Sequence, residues 1–197
     1  MNNKYLIAID LDGTLLHDDK LITAKTRDYL SGLARDGHCI VIATGRPLRS
    51  VLYFQQELNI DCPVVCYNGT MSIDYHHQRF PKRIIKFNRD IVHKIINDVG
   101  LENFDNIMVE TEKCIYLLKK DDELNEFFWN EGHNLVYGHQ FDFDDDPMTL
   151  IFKPINNDEE IKEKLKSAVS KYPHFNLRFW YDSFYSEVYL DYGTKKD

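Results

Sequence analysis

Residues Tyr5-Leu6-Ile7-Ala8-Ile9 run directly into Asp10-Leu11-Asp12-Gly13-Thr14, so two carboxylates two residues apart stand where an apolar strand gives way to a loop. A charged pair at the end of an apolar strand is costly unless a cation or a substrate compensates it. Open α/β sheets take their ligands at the carboxyl ends of their strands, which makes this junction the first place to look for chemistry. Asp-Gly is also a common turn pair, and a solvated turn after an edge strand is the alternative reading of the same residues.

Outward from that junction the pattern repeats. Cys39-Ile40-Val41-Ile42-Ala43 is a second apolar run and ends in Thr44-Gly45-Arg46-Pro47; Pro63-Val64-Val65-Cys66-Tyr67 is a third and ends in Asn68-Gly69. Between the first two, residues 23–36 have the spacing of an amphipathic helix, with Thr23 placed to cap it, Leu30, Leu33 and Ala34 on one face, and Gly37 placed to close it. A second helix is predicted over residues 48–58. Strand, helix, strand at this length is a right-handed crossover unit, which makes the strands parallel and brings their carboxyl ends to one rim.

Taken together, Asp10-Leu11-Asp12-Gly13-Thr14-Leu15-Leu16, Ala43-Thr44-Gly45-Arg46 and Tyr67-Asn68-Gly69 resemble the haloacid dehalogenase superfamily of phosphatases, and within it the Cof-type branch. The resemblance extends over nearly the whole chain, although the sharp motifs all precede Thr70. It implies an α/β fold: a Rossmann-like parallel-sheet core over residues 1–84, an inserted α+β cap domain over residues 85–186 that covers the active site, and a return to the core over residues 187–197.

The same resemblance assigns roles. Asp10 is the nucleophile that forms an aspartyl-phosphate, which splits one difficult displacement into two easier ones. Asp12 protonates the departing alkoxide and then deprotonates the hydrolytic water. Thr44 offers its hydroxyl and backbone N–H to the transferring phosphoryl oxygens. Lys196, with Lys195 as runner-up, stabilises nucleophile and phosphate. Thr14, Gly45, Arg46, Asn68 and Gly69 complete the substrate site, with a simple turn hydroxyl as the equal alternative for Thr14. A break into loop geometry after Asp10, helped by Gly13, lets both carboxyls approach one phosphate.

Mg²⁺ is the implied cofactor, with the Asp10 side chain and the Asp12 backbone carbonyl as two ligands. The family's third ligand comes from a later Gly-Asp followed by Asn-Asp or Asp-Asp, and no such motif is found in this sequence. The core is therefore expected to be incomplete at its C-terminal side, leaving the first strand as an exposed apolar edge open to self-association. A fragment of a longer enzyme, a truncated reading frame and a half completed by a partner are the three accounts of that expectation. The acidic groups Asp121-Asp122-Glu123 and Asp142, Asp144, Asp145, Asp146 are read as solvated loops in preference to replacement ligands.

Composition narrows the setting. With 43% hydrophobic and 13% aromatic residues, 197 residues suffice for a packed core of one or two domains. A net charge of −8 argues against a nucleic-acid partner, since phosphate backbones require a basic face. No apolar run approaches the roughly 20 residues of a membrane span, and the first residues do not read as a signal peptide, so no membrane partner and a cytoplasmic location are expected. The four cysteines, Cys39, Cys62, Cys66 and Cys114, are expected as reduced thiols.

Past Asn68-Gly69, residues 70–75 and 79–87 read as a hairpin projecting from the core around His76-His77-Gln78. Helices are then predicted at 90–99, 122–132 and 158–172, and strands at 106–110, 114–119, 149–153, 177–181 and 187–190. Antiparallel strands with helices on one face make an α+β layer. Arg46, His76, His77, Lys113 and the aromatic group Phe179, Trp180, Tyr181, Phe184 and Tyr185 are candidates for substrate choice, against structural readings of each. The expected function is a Mg²⁺-dependent phosphatase of small phosphorylated metabolites such as sugar phosphates or phosphorylated cofactors. The alternative is a catalytically incomplete, phosphate-binding relative; phosphomutase chemistry on the same aspartyl-phosphate is a third reading.

Overall fold

The computed structural model describes residues 3–138, 143–156, 158–180 and 185–191. They form two compact units that meet in sequence between Ile84 and Ile85. In the first, β1 (Leu6–Ile9), β2 (Cys39–Ala43) and β3 (Val64–Cys66) are parallel neighbours, with α1 (Ala24–Arg35) and α2 (Leu48–Leu58) as the crossovers. The Thr23 hydroxyl accepts the Thr26 N–H at 3.2 Å and so satisfies one of the donors left open at the start of α1. Asn59 closes α2 in the left-handed conformation that asparagine tolerates, at φ 53°. Ile40 and Ile42 of β2 and Val51, Phe54 and Leu58 of α2 are buried, and each such side chain contributes about 1.5–3 kcal/mol relative to exposure.

The expected hairpin does not project. Antiparallel β4 (Met71–Ile73) and β5 (Arg83–Ile84) extend this sheet in the order β1-β2-β3-β4-β5. Gly69, at φ 102°, helps turn the chain back so that Met71 lies beside Cys66. The loop after β4 is held by Asp74, whose buried carboxylate accepts from the Arg79 backbone N–H at 3.0 Å, from Nε at 2.6 Å and from Nη2 at 3.3 Å. At the other side of the sheet, among the described residues, β1 is the edge strand, and Leu6 is 71% exposed.

In the second unit, α3 (Arg89–Val99) precedes β6 (Phe104–Glu110), β7 (Ile115–Leu117), α4 (Asp122–Phe127) and β8 (Leu135–Tyr137). β9 (Thr149–Pro154), α5 (Glu159–Val169), β10 (Phe175–Phe179) and β11 (Ser186–Leu190) follow, and the sheet runs β10-β11-β9-β6-β7-β8. Strand alternation divides its side chains between two cores. Ile107, Val109, Leu150, Phe152 and Val188 pack with Val92, Ile95, Val99 and Leu165 from α3 and α5. Met108 and Ile151 pack with Leu117, Leu124, Phe128 and Tyr185 in a second cluster.

Four differences from the sequence reading have physical causes. A helix lies on each face, because Leu124 of α4 joins the second cluster and not the first. That helix ends at Phe127, and Trp129 just beyond it takes φ 57°, a conformation incompatible with helix. Strand β8 was not predicted; it is a short, partly exposed run of three residues parallel to β7. Residues Ser186–Leu190, read both as a strand of the α+β layer and, from Glu187, as the start of the return to the core, pair with β9 and β10 inside this second sheet, where four of the five side chains are buried.

The Asp74 ion pair yields a pH prediction. Hydrogen bonds from Arg79 lower the carboxyl from its ordinary 3.8 to about 2. Its contribution to stability is therefore complete above about pH 4 and is lost as pH falls towards 2. Urea unfolding of the wild type and Asp74→Asn at a series of pH values is expected to show a stability gap at pH 6 that closes progressively below pH 4.

Candidate active site

The parallel register of β1, β2 and β3 delivers the three polar loops of the sequence to one edge of the first sheet. After β1 the chain turns sharply: the Leu11 carbonyl accepts N–H groups from Thr14 at 3.3 Å, Leu15 at 3.0 Å and Leu16 at 2.9 Å. Gly13 takes φ 72° within this turn, where a Cβ would be strained. The Asp10 carboxylate is oriented by the Leu11 N–H, which donates to Oδ1 at 2.9 Å. Asp12 and Thr14 are exposed, and Leu11 is buried beneath them.

The second and third loops are tied to each other by backbone. The Thr44 N–H donates to the Val65 carbonyl at 2.9 Å, the Asn68 N–H to the Thr44 carbonyl at 3.2 Å and the Tyr67 N–H to the Arg46 carbonyl at 3.0 Å. The Thr44 N–H is thus used within the sheet, which corrects the expectation that it faces a phosphate; the buried Thr44 hydroxyl accepts the Arg46 N–H at 3.3 Å. A side chain at position 45 would bring its Cβ to 2.8 Å from Asn68 Oδ1, so glycine lets the two loops approach. Tyr67, Asn68 and Gly69 carry φ values of 51°, 56° and 102° in succession. Two consecutive non-glycine residues in the left-handed region are a strained arrangement of the kind that clusters at functional sites.

The Asp12 carboxylate lies in the fork of Arg46: Nε donates to Oδ2 at 2.8 Å and Nη2 to Oδ1 at 2.9 Å. Lys20 Nζ adds a third contact to Oδ1 at 3.2 Å. The Arg46 hydrogen bonds hold the Asp12 carboxyl below the ordinary carboxylate range, against a smaller opposing effect of burial. Residues that support Arg46, namely Ser50 and Phe54, were missed in the sequence. Their signal was the spacing 50, 54 on one face of α2, just beyond Arg46, which precedes the helix.

The structure therefore brings Asp10, Asp12, Thr44, Gly45, Arg46, Asn68 and Gly69 to one rim, with Thr14 exposed on the first loop. Lys195 and Lys196 lie outside the described residues, as do Asp142, Tyr181 and Phe184. His77 pairs with Asp61 at 2.7 Å. In the second unit, Asp145 pairs with Lys86 at 2.9 Å, Asp146 accepts the Arg89 N–H at 3.0 Å, and Asp121 caps α4 while pairing with Lys153 at 2.9 Å. These carboxylates hold cations and helix starts. Among the described residues no group of three or more His, Cys, Asp or Glu side chains converges as a metal cage. The Asp10 carboxylate and the Asp12 carbonyl are hard oxygen donors at one strand end, and they suit Mg²⁺, which binds through one or two carboxylates and keeps several waters.

Carboxylates and hydroxyls gathered at the carboxyl edge of a parallel sheet define an α/β protein with a ligand site at its strand ends. The chain belongs to the haloacid dehalogenase-like hydrolase family, whose model matches residues 7–196. It is 32% identical over 134 residues to 5-amino-6-(5-phospho-D-ribitylamino)uracil phosphatase YitU of Bacillus subtilis, a match covering 68% of this chain and 50% of that protein. To pyridoxal phosphate phosphatase YbhA of Escherichia coli it is 39% identical over 71 residues, 36% of this chain and 26% of that protein. The matches thus span half or less of these curated relatives. A solved haloacid dehalogenase-like hydrolase from Bacteroides thetaiotaomicron shares the fold with a TM-score of 0.78 at 18% identity, over 98% of this chain and 73% of that one. Among the described residues, no helix is long and apolar enough to cross a membrane.

The left-handed conformation of Asn68 makes a local prediction. A β-branched residue there meets the steric penalty of that region, about 1–2 kcal/mol. Asn68→Val is expected to lower the unfolding free energy by that amount, read from the shift of the urea midpoint multiplied by m, and Asn68→Gly by less, in equilibrium unfolding of the two variants side by side.

Proposed function

We propose that the chain carries the catalytic loops of a Mg²⁺-dependent phosphatase acting on small phosphorylated metabolites, sugar phosphates or phosphorylated cofactors, through an aspartyl-phosphate. The observation that carries this reading is the bonding of the β2 and β3 loops to each other, and of Arg46 to Asp12, around the end of the strand that bears Asp10. Family membership and the phosphatase names of the relatives support it.

In this mechanism an Asp10 carboxylate oxygen attacks phosphorus in line with the ester oxygen. The new P–O bond forms as the bond to the leaving oxygen breaks, and Asp12, which Arg46 favours as the carboxylate in the unliganded site and which takes up a proton as the anionic phosphate binds beside it, gives that oxygen its proton. Asp12 then takes a proton from a water that attacks phosphorus, releasing inorganic phosphate and restoring Asp10. The Thr44 hydroxyl, Gly45 and Asn68 hold the phosphoryl oxygens, a preorganised role that needs the fixed loops described above. Asp10 and the Asp12 carbonyl would hold Mg²⁺, which supplies the positive charge that lets an anionic carboxylate approach an anionic phosphate. By the family resemblance Lys196 would stabilise nucleophile and phosphate, and the second unit, which begins at Ile85 and includes β11, is read as the family's inserted cap domain.

Hydrolysis of p-nitrophenyl phosphate and of a panel of sugar phosphates, with Mg²⁺ and with EDTA, tests the proposal. Turnover is expected to require Mg²⁺ and to fall to background in Asp10→Asn, with an unaltered unfolding midpoint for that variant. Turnover that survives in Asp10→Asn would overturn the mechanism. Phosphate binding without turnover in the wild type would favour the non-catalytic reading.

A further inference from the structure

Arg46 was expected to contact substrate, yet its side chain is committed elsewhere on every side. Nε and Nη2 grip both oxygens of Asp12 at 2.8 and 2.9 Å, and Nη1 donates to the Ser50 hydroxyl at 3.4 Å. The guanidinium carbon stands 5.4 Å from the centre of the Phe54 ring, and Phe54 is itself buried. Its backbone is fixed too, with the N–H on the Thr44 hydroxyl at 3.3 Å and the carbonyl under the Tyr67 N–H at 3.0 Å. The side chain is 17% exposed, against 60% for Lys20, the other cation on Asp12.

A single charge sets only the distance to a carboxylate. A planar two-pronged fork also sets the plane in which the carboxylate lies, and an ammonium cannot reproduce that. A carboxylate offers about four acceptor positions on its two oxygens. Two take the Arg46 fork and a third takes Lys20, which leaves one acceptor position, on Oδ2, where a proton taken up on substrate binding would sit.

We infer that Arg46 is the positioning residue of Asp12, aiming that carboxyl at the leaving-group oxygen, and is not a ligand of the substrate phosphate. The inference rests on the acid role proposed above for Asp12. It extends that role to a connected unit, Phe54 and Ser50 holding Arg46, and Arg46 holding Asp12.

The distinguishing readout is dependence on the leaving group. p-Nitrophenolate is a stable anion that departs without a proton, whereas a sugar alkoxide is strongly basic and needs one, so a misaimed acid harms only the second reaction. The ratio kcat/KM reports the steps through leaving-group departure, so the later hydrolysis of the aspartyl-phosphate does not enter. Arg46→Lys keeps the charge and loses the fork. It is expected to lower kcat/KM for a hexose 6-phosphate by roughly 100-fold and for p-nitrophenyl phosphate by severalfold at most. Inhibition by inorganic phosphate should keep its wild-type strength. Asp12→Asn should show the same selectivity, and the double variant should lose little more than Asp12→Asn alone.

Equal losses on both substrates in Asp12→Asn would sink the acid role itself. Selectivity in Asp12→Asn without selectivity in Arg46→Lys would sink the role of Arg46 alone. A loss on both substrates in Arg46→Lys with weakened phosphate inhibition would make Arg46 a phosphate ligand. A measurement independent of turnover runs beside these: the ¹⁵N resonance of the Arg46 Nε–H, assigned by its loss in Arg46→Lys. It is expected to move much further in Asp12→Asn than when inorganic phosphate and Mg²⁺ are added. Movement on phosphate addition with no response to Asp12→Asn would overturn the inference.

Discussion

Parallel hydrogen bonding between β1, β2 and β3 is the constraint on which the site depends. Ile9 lies opposite Ile42 and Ala43 opposite Val65, so the three strands end within a residue or two of each other. Everything chemical in the first unit hangs from those ends. The loop bonds then convert proximity into fixed geometry, with each of Thr44, Arg46, Tyr67 and Asn68 using a backbone group to hold its neighbour. The cost appears as two residues in the left-handed region, tolerable because the surrounding sheet over-determines the turn.

Charge is used differently in different places. Lys162 with Glu159 and Lys166 with Glu163 are exposed partners on α5, of a kind that contributes about 0–1 kcal/mol each. Asp74 and Asp121 have nearly no side-chain exposure, and both gather backbone N–H groups together with a cation, which is the arrangement that makes a buried carboxylate tolerable. Asn106 serves a related purpose in the second sheet: its carbonyl oxygen accepts the Ile107 and Leu118 N–H groups at 3.0 Å, beside the irregular register of β6. Asp12 differs from all of these. Its carboxylate is partly exposed, held by a half-buried fork, and placed on the rim where a ligand would lie.

Legibility followed the length and contrast of the apolar pattern. The runs 39–43 and 48–58 became β2 and α2 with the expected bounds, because a continuous apolar strand and a helix with one apolar face are strong local signals. Thr23 capped α1 as its hydroxyl allowed. Short or half-exposed segments were less readable: β8 buries little of its three residues, and α4 is terminated by Trp129, a residue with no breaker character of its own. The candidate site was readable as three motifs. That Thr44 spends its N–H on Val65 was not, since the donor's partner is another strand.

Determined by the sequence alone were the residue types at the rim, the order of the three loops and the membership of a hydrolase family, since each is carried by local patterns of apolar runs and short polar motifs. The tertiary structure decided which of those residues hold one another. Arg46 reaches Asp12 across 34 positions of chain, and Ser186–Leu190 joins the second sheet because β9 and β10 present the partners it needs. Such choices depend on which hydrogen-bonding edges and charges the fold brings within about 3 Å, and spacing along the chain does not contain that information.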